Sequence, residues 1–240
     1  MKTRFYERTA YRLSDQPVPN CFLKLDDHFD GIFTDGQTAP MNYGLALAES
    51  VCARMADVEM YAFLMEDAGK RHSLDKTEID RAADMKAAVL TRSFVLGYLG
   101  ACRGLLDSGA VTLSTIYRLQ LPNSERTFAH ANFWHQLVSV APNVYRRYHP
   151  LRLFFSEVFQ WCNETAVRVP PVSVLQFQFG EYSRRELMTQ LADDRDADLE
   201  RMATKSYALH WINPLDLDTR WKVKFINLCE KLCRDIEENT

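Results

Sequence analysis

The recurrence of apolar residues at intervals of three and four constrains the fold of this chain more than any other feature. Between Asn42 and about Lys70 the chain contains no proline, and its apolar residues keep that spacing. They are Leu45, Ala48, Val51, Cys52, Met55, Val58, Ala62 and Met65. This pattern predicts an amphipathic helix that is capped by Asn42 and stops near Gly69.

The same spacing predicts a second helix from Ser73 to about Leu106, with Leu99 and Cys102 buried on its apolar face. Three glycines inside this helix predict a closely packed neighbouring helix, because glycine has no side chain. They are Gly97, Gly100 and Gly104. On this interpretation, leucine in place of Gly100 would overpack the interface between the helices.

The spacing of apolar residues in the rest of the chain predicts a mainly α fold, a helical bundle with at most a small β element. Helices are expected around Phe128–Val138 and Leu151–Val167, and again over 183–207 and 214–238. The segment Val172–Phe179 alternates in polarity and is rich in β-branched and aromatic residues, as is typical of a strand.

Residues 1–41 predict an irregular N-terminal arm, followed by a helical domain over 42–240. The arm is rich in residues that interrupt helices, namely Pro17, Pro19, Gly31, Gly36 and Pro40. The alternating segment Cys21–Leu25 favours a short hairpin inside the arm.

The charge balance and hydropathy exclude several classes of protein. Lys and Arg number 29 and Asp and Glu 32, which gives a net charge of −3. Proteins that coat nucleic acid are usually basic, because phosphate contacts dominate their affinity. The polar start of the chain lacks the apolar run of a secretory signal, and no stretch of ~20 apolar residues could span a bilayer. We therefore expect a cytoplasmic protein with no membrane partner.

The cysteines are predicted to be reduced thiols in the core of a cytosolic protein. They are Cys21, Cys52, Cys102, Cys162, Cys229 and Cys233. Cys229 and Cys233 lie one helical turn apart and His210 could join them, but a structural zinc ion needs four ligands. Nucleotide-binding and hydrolase motifs such as G-x-x-x-x-G-K-S/T and G-x-S-x-G do not occur. The sequence therefore predicts neither a metal nor a cofactor.

The densest group of basic and aromatic residues is Y-R-R-Y-H-P-L-R at 145–152. Arginine can bind phosphates with two hydrogen bonds, and tyrosine rings stack on bases. Arg146, Arg147, His149 and Arg152 are therefore candidate nucleic-acid contacts. The alternative interpretation is an ordinary exposed connection between two helices.

Three motifs follow one another along the helical domain. They are C-R-G-L-L-D-S at 102–108, F-x(4)-F-W at 128–134, and F-x-W-C-N-E-T-A-V-R-V-P-P at 159–171. Their order along the chain and the residue types within them resemble the HEPN superfamily of helical proteins. The resemblance implies a HEPN-like core over about 74–175, a homodimer, and a role in bacterial defence or stress response.

Active HEPN ribonucleases carry an Arg and a His on the last of these helices. The Arg stabilises phosphate charge, and the His serves as general acid or base. The matching positions here are Cys162 and Val167, which can do neither. The resemblance therefore implies a degenerate motif, and Arg147, His149 and Arg168 are the candidates for a rearranged catalytic site.

Three interpretations of function remain open. The favoured one is a catalytically inactive HEPN-like module that acts by forming a homodimer or a protein complex. The alternatives are an active, metal-independent ribonuclease with RNA as its partner, and an unrelated helical scaffold or binding subunit. Phe154 and Phe155 are adjacent and do not share one helix face, which predicts that one of them meets a partner chain.

Overall fold

The computed structural model describes most of the chain, and most of the described residues are helical. The described ranges are 18–29, 43–72, 81–163, 172–177, 185–192, 209–212 and 214–239. Their α-helices are α1 (Asn20–His28), α2 (Tyr43–His72), α3 (Arg81–Ile116), α4 (Ala131–Val140), α5 (Pro142–Tyr148), α6 (Arg152–Asn163) and α7 (Pro214–Asn239). Short 3-10 helices lie at Asn123–Glu125 and His149–Leu151. The prediction of a mainly α fold is confirmed.

Three strands form one small antiparallel sheet in the order β1-β2-β3. They are β1 (Val172–Phe177), β2 (Arg185–Ala192) and β3 (Leu209–Ile212). The strand predicted at β1 is confirmed, and its Val174 pairs with Met188. The helix predicted over 183–207 is wrong at β2, because pairing with a strand on each side overrides local helical spacing. Residues 193–208 lie outside the described ranges.

Helices α2 and α3 both extend beyond their predicted ends. Helix α2 continues through Gly69 to His72, and α3 continues past Leu106 to Ile116. A single glycine costs a helix only ~1 kcal/mol relative to alanine, so tertiary packing can carry a helix through it. The buried side chain of Leu113 shows that α3 still faces a core beyond its predicted end. The predicted starts of both helices lie outside the described residues.

The glycines of α3 differ from one another in their surroundings. A Cβ atom on Gly97 would lie 2.5 Å from Cζ of Tyr61, so glycine does permit close approach of α2 at this point. At Gly100, an added Cβ would meet no atom of the described residues within 4 Å. The predicted overpacking by leucine at Gly100 is therefore wrong, because this position faces open space. Leu99 and Cys102 are buried, as predicted.

The chain divides into two compact units. The first comprises Met1–Met60, Ala101–Ser156 and Lys222–Thr240. The second comprises Tyr61–Gly100 and Glu157–Trp221, and it includes the sheet. The long helices α2, α3 and α7 each contribute one segment to the first unit and one segment to the second.

In the first unit, α7 carries the apolar stripe around which the other elements pack. Its buried residues there recur at helical spacing and are each at most 2% exposed: Phe225, Leu228, Cys229, Leu232, Cys233 and Ile236. Leu232 faces Gly109 of α3, where an added Cβ would lie 3.1 Å from Cδ1 of Leu232. This stripe confirms the predicted helix over 214–238 and explains its amphipathic pattern.

The two adjacent phenylalanines of α6 are both buried within the chain. Phe155 stacks on Phe128 with ring centroids 4.4 Å apart, and Phe154 meets Phe225 edge-on at 4.9 Å. The prediction that one of them meets a partner chain is wrong, because α6 lies between two groups of side chains and can bury neighbouring residues on both sides. Leu153 of the same helix is a large apolar residue that is 87% exposed.

Helix α1 replaces part of the predicted irregular arm. Cys21, Phe22 and Leu25 share one buried helix face, so the hairpin predicted for this segment is wrong. An i, i+1, i+4 set can bury together on a helix, whereas a strand would send neighbours to opposite faces. The remainder of the predicted arm lies outside the described residues, except for 18–19 and Phe29.

In the second unit, α7 is held by polar contacts at its N-terminal end. Tyr98 of α3 stacks on Trp221 at 6.3 Å, and its hydroxyl donates a 3.1 Å hydrogen bond to Asp218. The indole N–H of Trp221 donates to Glu157 of α6 at 3.1 Å, and Arg220 lies 3.7 Å from the same carboxylate. These contacts fix α3, α6 and α7 around one aromatic pair.

Candidate functional site

A buried carboxylate in the first unit accepts hydrogen bonds from three donors on two other segments of the chain. Asp235 of α7 has no exposed surface. Its Oδ1 accepts hydrogen bonds from the hydroxyl of Tyr117 at 2.8 Å and from Nη1 of Arg147 at 2.6 Å. Its Oδ2 accepts from the hydroxyl of Tyr148 at 2.5 Å. We call these four residues the Asp235 cluster.

Burial dominates the protonation behaviour of the Asp235 cluster. It raises the pKa of Asp235 above its ordinary value, although hydrogen bonds from the two tyrosines and the charge of Arg147 act in the opposite direction. Burial also raises the pKa of Tyr148 and of Tyr117, and the nearby carboxylate adds to both shifts. Both hydroxyls therefore stay protonated at neutral pH and remain donors.

Arg147 belongs to this cluster, although the sequence marked it as a catalytic and phosphate-binding candidate. Its guanidinium bonds Asp235 and also lies 3.7 Å from Glu238, and its side chain is 25% exposed. A buried charge pair of this kind fixes α5 against α7, and its partner is internal to the chain. The same contacts occupy donors that a phosphate would otherwise need.

The other members of the basic and aromatic segment lie on the surface. Arg146, His149 and Arg152 are exposed, and the segment forms α5, a 3-10 turn and the start of α6. The segment connects α4 to α6, and its backbone is mostly helical because Pro142 starts a further helix at its N1 position. Tyr145 is half-buried, with its ring 5.0 Å from that of His149.

An indole ring underlies this surface. The guanidinium of Arg152 lies 5.2 Å from the ring centroid of Trp134, within the range of a cation–π contact. Tyr145 meets the same indole edge-on at 6.2 Å. The indole N–H donates to the carbonyl of Phe128 at 2.8 Å, which holds the ring in place. The exposed Arg152 is thus positioned by packing on a fixed aromatic ring.

Of the two positions that resemble the HEPN catalytic pair, Cys162 lies among the described residues. Cys162 is 2% exposed, and its thiol donates a 3.1 Å hydrogen bond to the carbonyl of Leu99. A buried thiol that bonds backbone serves packing between α6 and α3. Val167 and Arg168 lie outside the described residues.

Asp235 was absent from the candidates drawn from the sequence, although a signal for it was present. Leu232 and Ile236 are core residues of α7, and Asp235 lies between them at a spacing of three from Leu232. That spacing places the carboxylate on the buried face of an amphipathic helix. A buried charge needs partners, so the position itself indicates a polar cluster.

All six cysteines lie among the described residues as buried, free thiols, which confirms that they are core residues. No group of three or more His, Cys, Asp or Glu side chains within the described ranges is arranged to hold a metal ion. In the same part of the chain, no helix is both long and apolar enough to cross a membrane.

Comparison with known proteins finds no match to a protein-family model, to a curated protein or to a solved structure. The resemblance to the HEPN superfamily therefore remains an expectation from the sequence motifs.

Proposed function

We propose that this chain is a non-catalytic helical module that acts by binding protein, with a second copy of itself as the partner to test first. The observation that carries the proposal is the 87% exposure of Leu153 on a helix whose next two residues are buried aromatics. Covering a large exposed leucine with a partner stabilises the complex, by roughly 1.5–3 kcal/mol on full burial.

The surroundings of Leu153 have the composition of a protein interface. Arg152 precedes it and lies over Trp134, and Tyr145 flanks the same ring. One turn beyond Trp134 on α4, Val138 is 42% exposed. We call Val138, Tyr145, Arg152 and Leu153 the α4–α6 face. Tryptophan, tyrosine and arginine are the residues most enriched at interface hot spots. Here Leu153 follows Arg152 along α6, and Val138 follows Trp134 by four positions along α4.

Arg147 and Cys162 have structural roles in this fold. Arg147 is held by Asp235, and Cys162 is buried against backbone. His149 lies on the surface beside Tyr145. RNA cleavage by a general acid or base also needs a cationic side chain that holds the phosphate beside it. The Arg147 side chain is instead directed into the Asp235 cluster. This arrangement supports a binding role over a rearranged ribonuclease site.

The test is the oligomeric state of Leu153→Asp compared with wild type. Light scattering coupled to gel filtration should report a dimer for wild type and a monomer for Leu153→Asp, because the new carboxylate would have to be desolvated at the interface. Val223→Asp is the matched control, since Val223 is 71% exposed on α7 and lies outside the α4–α6 face. It should remain a dimer.

A monomeric wild type at high concentration would remove the homodimer. Binding to a different protein would then be measured by comparing the proteins that wild type, Leu153→Asp and Val223→Asp capture. If all three capture the same set, the α4–α6 face is not the binding surface and the proposal fails.

Single-stranded RNA is the second candidate partner, because Arg146, His149 and Arg152 present positive or titratable groups beside the ring of Tyr145. If RNA binds here, Arg146→Ala and Arg152→Ala should each weaken binding and reduce its salt dependence. Cleavage of labelled RNA that is lost in His149→Ala would instead establish a ribonuclease. Arg147→Ala is unsuitable as evidence of contact, since it also disrupts the Asp235 cluster.

The resemblance to HEPN proteins adds one element to the proposal. Homodimerisation is a property that the resemblance implies, and the motif positions Cys162 and Val167 fit a member without activity. A role in defence or stress response follows from the resemblance alone and is proposed on that basis.

A further inference from the structure

The residue that caps the N-terminus of helix α4 is a histidine. Nδ1 of His130 accepts a 3.2 Å hydrogen bond from the backbone N–H of Asn132. The first N–H groups of a helix have no partner within the helix, so an acceptor at this position stabilises it. The usual caps are Ser, Thr, Asp and Asn, whose oxygens still accept between about pH 5 and 8. A histidine cap differs, because its ring titrates in that range.

Protonation of His130 reverses the chemistry of this contact. A ring nitrogen that accepts carries no hydrogen, so the capping form is the neutral ring with its hydrogen on Nε2. The charged ring has a hydrogen on both nitrogens and can only donate, which sets Nδ1 against the N–H of Asn132. The added charge also lies at the positive end of the helix dipole, where a cation is unfavourable. Both effects destabilise the first turn of α4.

Two carboxylates lie on the elements that pack around this cap. The side chain of Asn132 donates to Oε2 of Glu125 at 3.0 Å. The backbone N–H of His130 donates to the carbonyl of Thr127 at 3.1 Å. The hydroxyl of Thr127 in turn donates to Oδ1 of Asp107 on α3 at 2.9 Å. The turn before α4 is thus held by hydrogen bonds on both sides of His130.

Two cations lie on the same elements, and both have partners there. Nε of Arg103 is 3.7 Å from the carboxylate of Asp107. Nε of Arg126 donates to the carbonyl of Leu121 at 3.1 Å. Asp, Glu and Arg side chains ordinarily keep their charge between about pH 5 and 8. Among the residue types in these contacts, histidine is the one that ordinarily changes charge in that interval.

We propose that His130 is an acid-sensitive cap. As the pH falls through the range in which histidine titrates, protonation releases the N–H of Asn132 and loosens the first turn of α4. The loosened turn leads into Trp134, the ring on which Arg152 of the α4–α6 face is positioned. The inference rests on the hydrogen bond at the cap and is independent of the proposed binding function.

The experiment measures the solvent exchange of the Asn132 amide in the full chain. Protein labelled with 15N-asparagine is studied by NMR at about pH 8 and about pH 5, the ends of the range in which histidine titrates. The Asn132 signal is identified by its loss in Asn132→Gln. The test variant is His130→Asn, because asparagine is a strong cap that does not titrate. Wild type and variant are compared at the same pH, so the intrinsic pH dependence of exchange cancels.

The two proteins should exchange the Asn132 amide at equal rates at the higher pH. At the lower pH, wild type should exchange about fivefold faster than His130→Asn, which is the effect of a typical N-cap residue on the stability of a helix. His135→Asn is the matched control, because His135 is exposed on the same helix beyond its first turn. This control should show the same acid response as wild type.

A second measurement is read from the wild-type ring itself. In protein labelled with 15N-histidine, the His130 ring is identified by its contact with the Asn132 amide. Its nitrogen shifts should show no hydrogen on Nδ1 at the higher pH and a hydrogen on both nitrogens at the lower pH.

Three outcomes would overturn the proposal. One is an exchange ratio of wild type to His130→Asn that is the same at both pH values, because the cap then does not respond to acid. Another is loss of the acid response in His135→Asn, which would assign that response to His135. The third is a hydrogen on Nδ1 of His130 at the higher pH, since that ring could not accept from Asn132.

Discussion

Replacing Asp235 with alanine should destabilise this protein more than any other removal of a single charge in the described residues of α7. The carboxylate is fully buried and accepts from Tyr117, Arg147 and Tyr148. Alanine would leave a buried tyrosine hydroxyl and a largely buried guanidinium without their acceptor.

The magnitude follows from the burial of these groups. Removing one partner of a buried ion pair costs about 3–5 kcal/mol, because the other charge is left uncompensated. Part of this cost is offset because the mutation also removes a carboxylate whose burial raises its pKa. We therefore expect a loss of about 3 kcal/mol in the free energy of unfolding of Asp235→Ala, the lower end of that range.

The assay is urea denaturation followed by far-ultraviolet circular dichroism. Glu230→Ala is the matched control, since Glu230 is an exposed acid on the same helix and should change stability by within about 0.5 kcal/mol. Asp235→Asn keeps one acceptor oxygen but places two amide hydrogens among existing donors, so it should fall between wild type and alanine. A loss of under about 1 kcal/mol for Asp235→Ala would refute the reasoning, because a solvated carboxylate behaves in that way.

Two further predictions concern Tyr148 of the Asp235 cluster and the glycines of α3. Because the folded-state pKa of Tyr148 is raised, the folded chain keeps a proton that the unfolded chain loses above pH ~10, so stability should fall as pH rises past that point. In denaturation curves measured at a series of alkaline pH values, Tyr148→Phe should lose less stability with rising pH than wild type. An equal loss in the two proteins would contradict this prediction. Gly97→Ala should lower the melting temperature because the new Cβ meets the ring of Tyr61. Gly100→Ala should leave the melting temperature unchanged or raise it, because alanine has a higher helix propensity than glycine, worth ~1 kcal/mol. Equal shifts in the two variants would show that Tyr61 moves aside freely.

Apolar spacing alone determined the large helical elements. The pattern that begins at Leu45 predicted α2, and that of the last helix predicted α7, because a helix that buries one face must repeat its apolar residues every three to four positions. The same argument predicted the burial of Leu99 and Cys102. These properties are local, so neighbouring residues are sufficient to reveal them. The motifs that carry the resemblance to HEPN proteins are local in the same sense, and the degenerate pair that the resemblance implies at Cys162 and Val167 stays a prediction.

The tertiary structure decided the contacts between distant segments. Strand β2 exists because two strands pair with it, and α6 buries both Phe154 and Phe155 because side chains lie on two sides of it. The sequence predicted Arg147 as a ligand-binding residue, whereas the structure pairs its guanidinium with Asp235, 88 positions along the chain. Local spacing cannot report such partners, since the free energy of a buried charge or an adjacent aromatic pair depends on what the rest of the chain brings beside it.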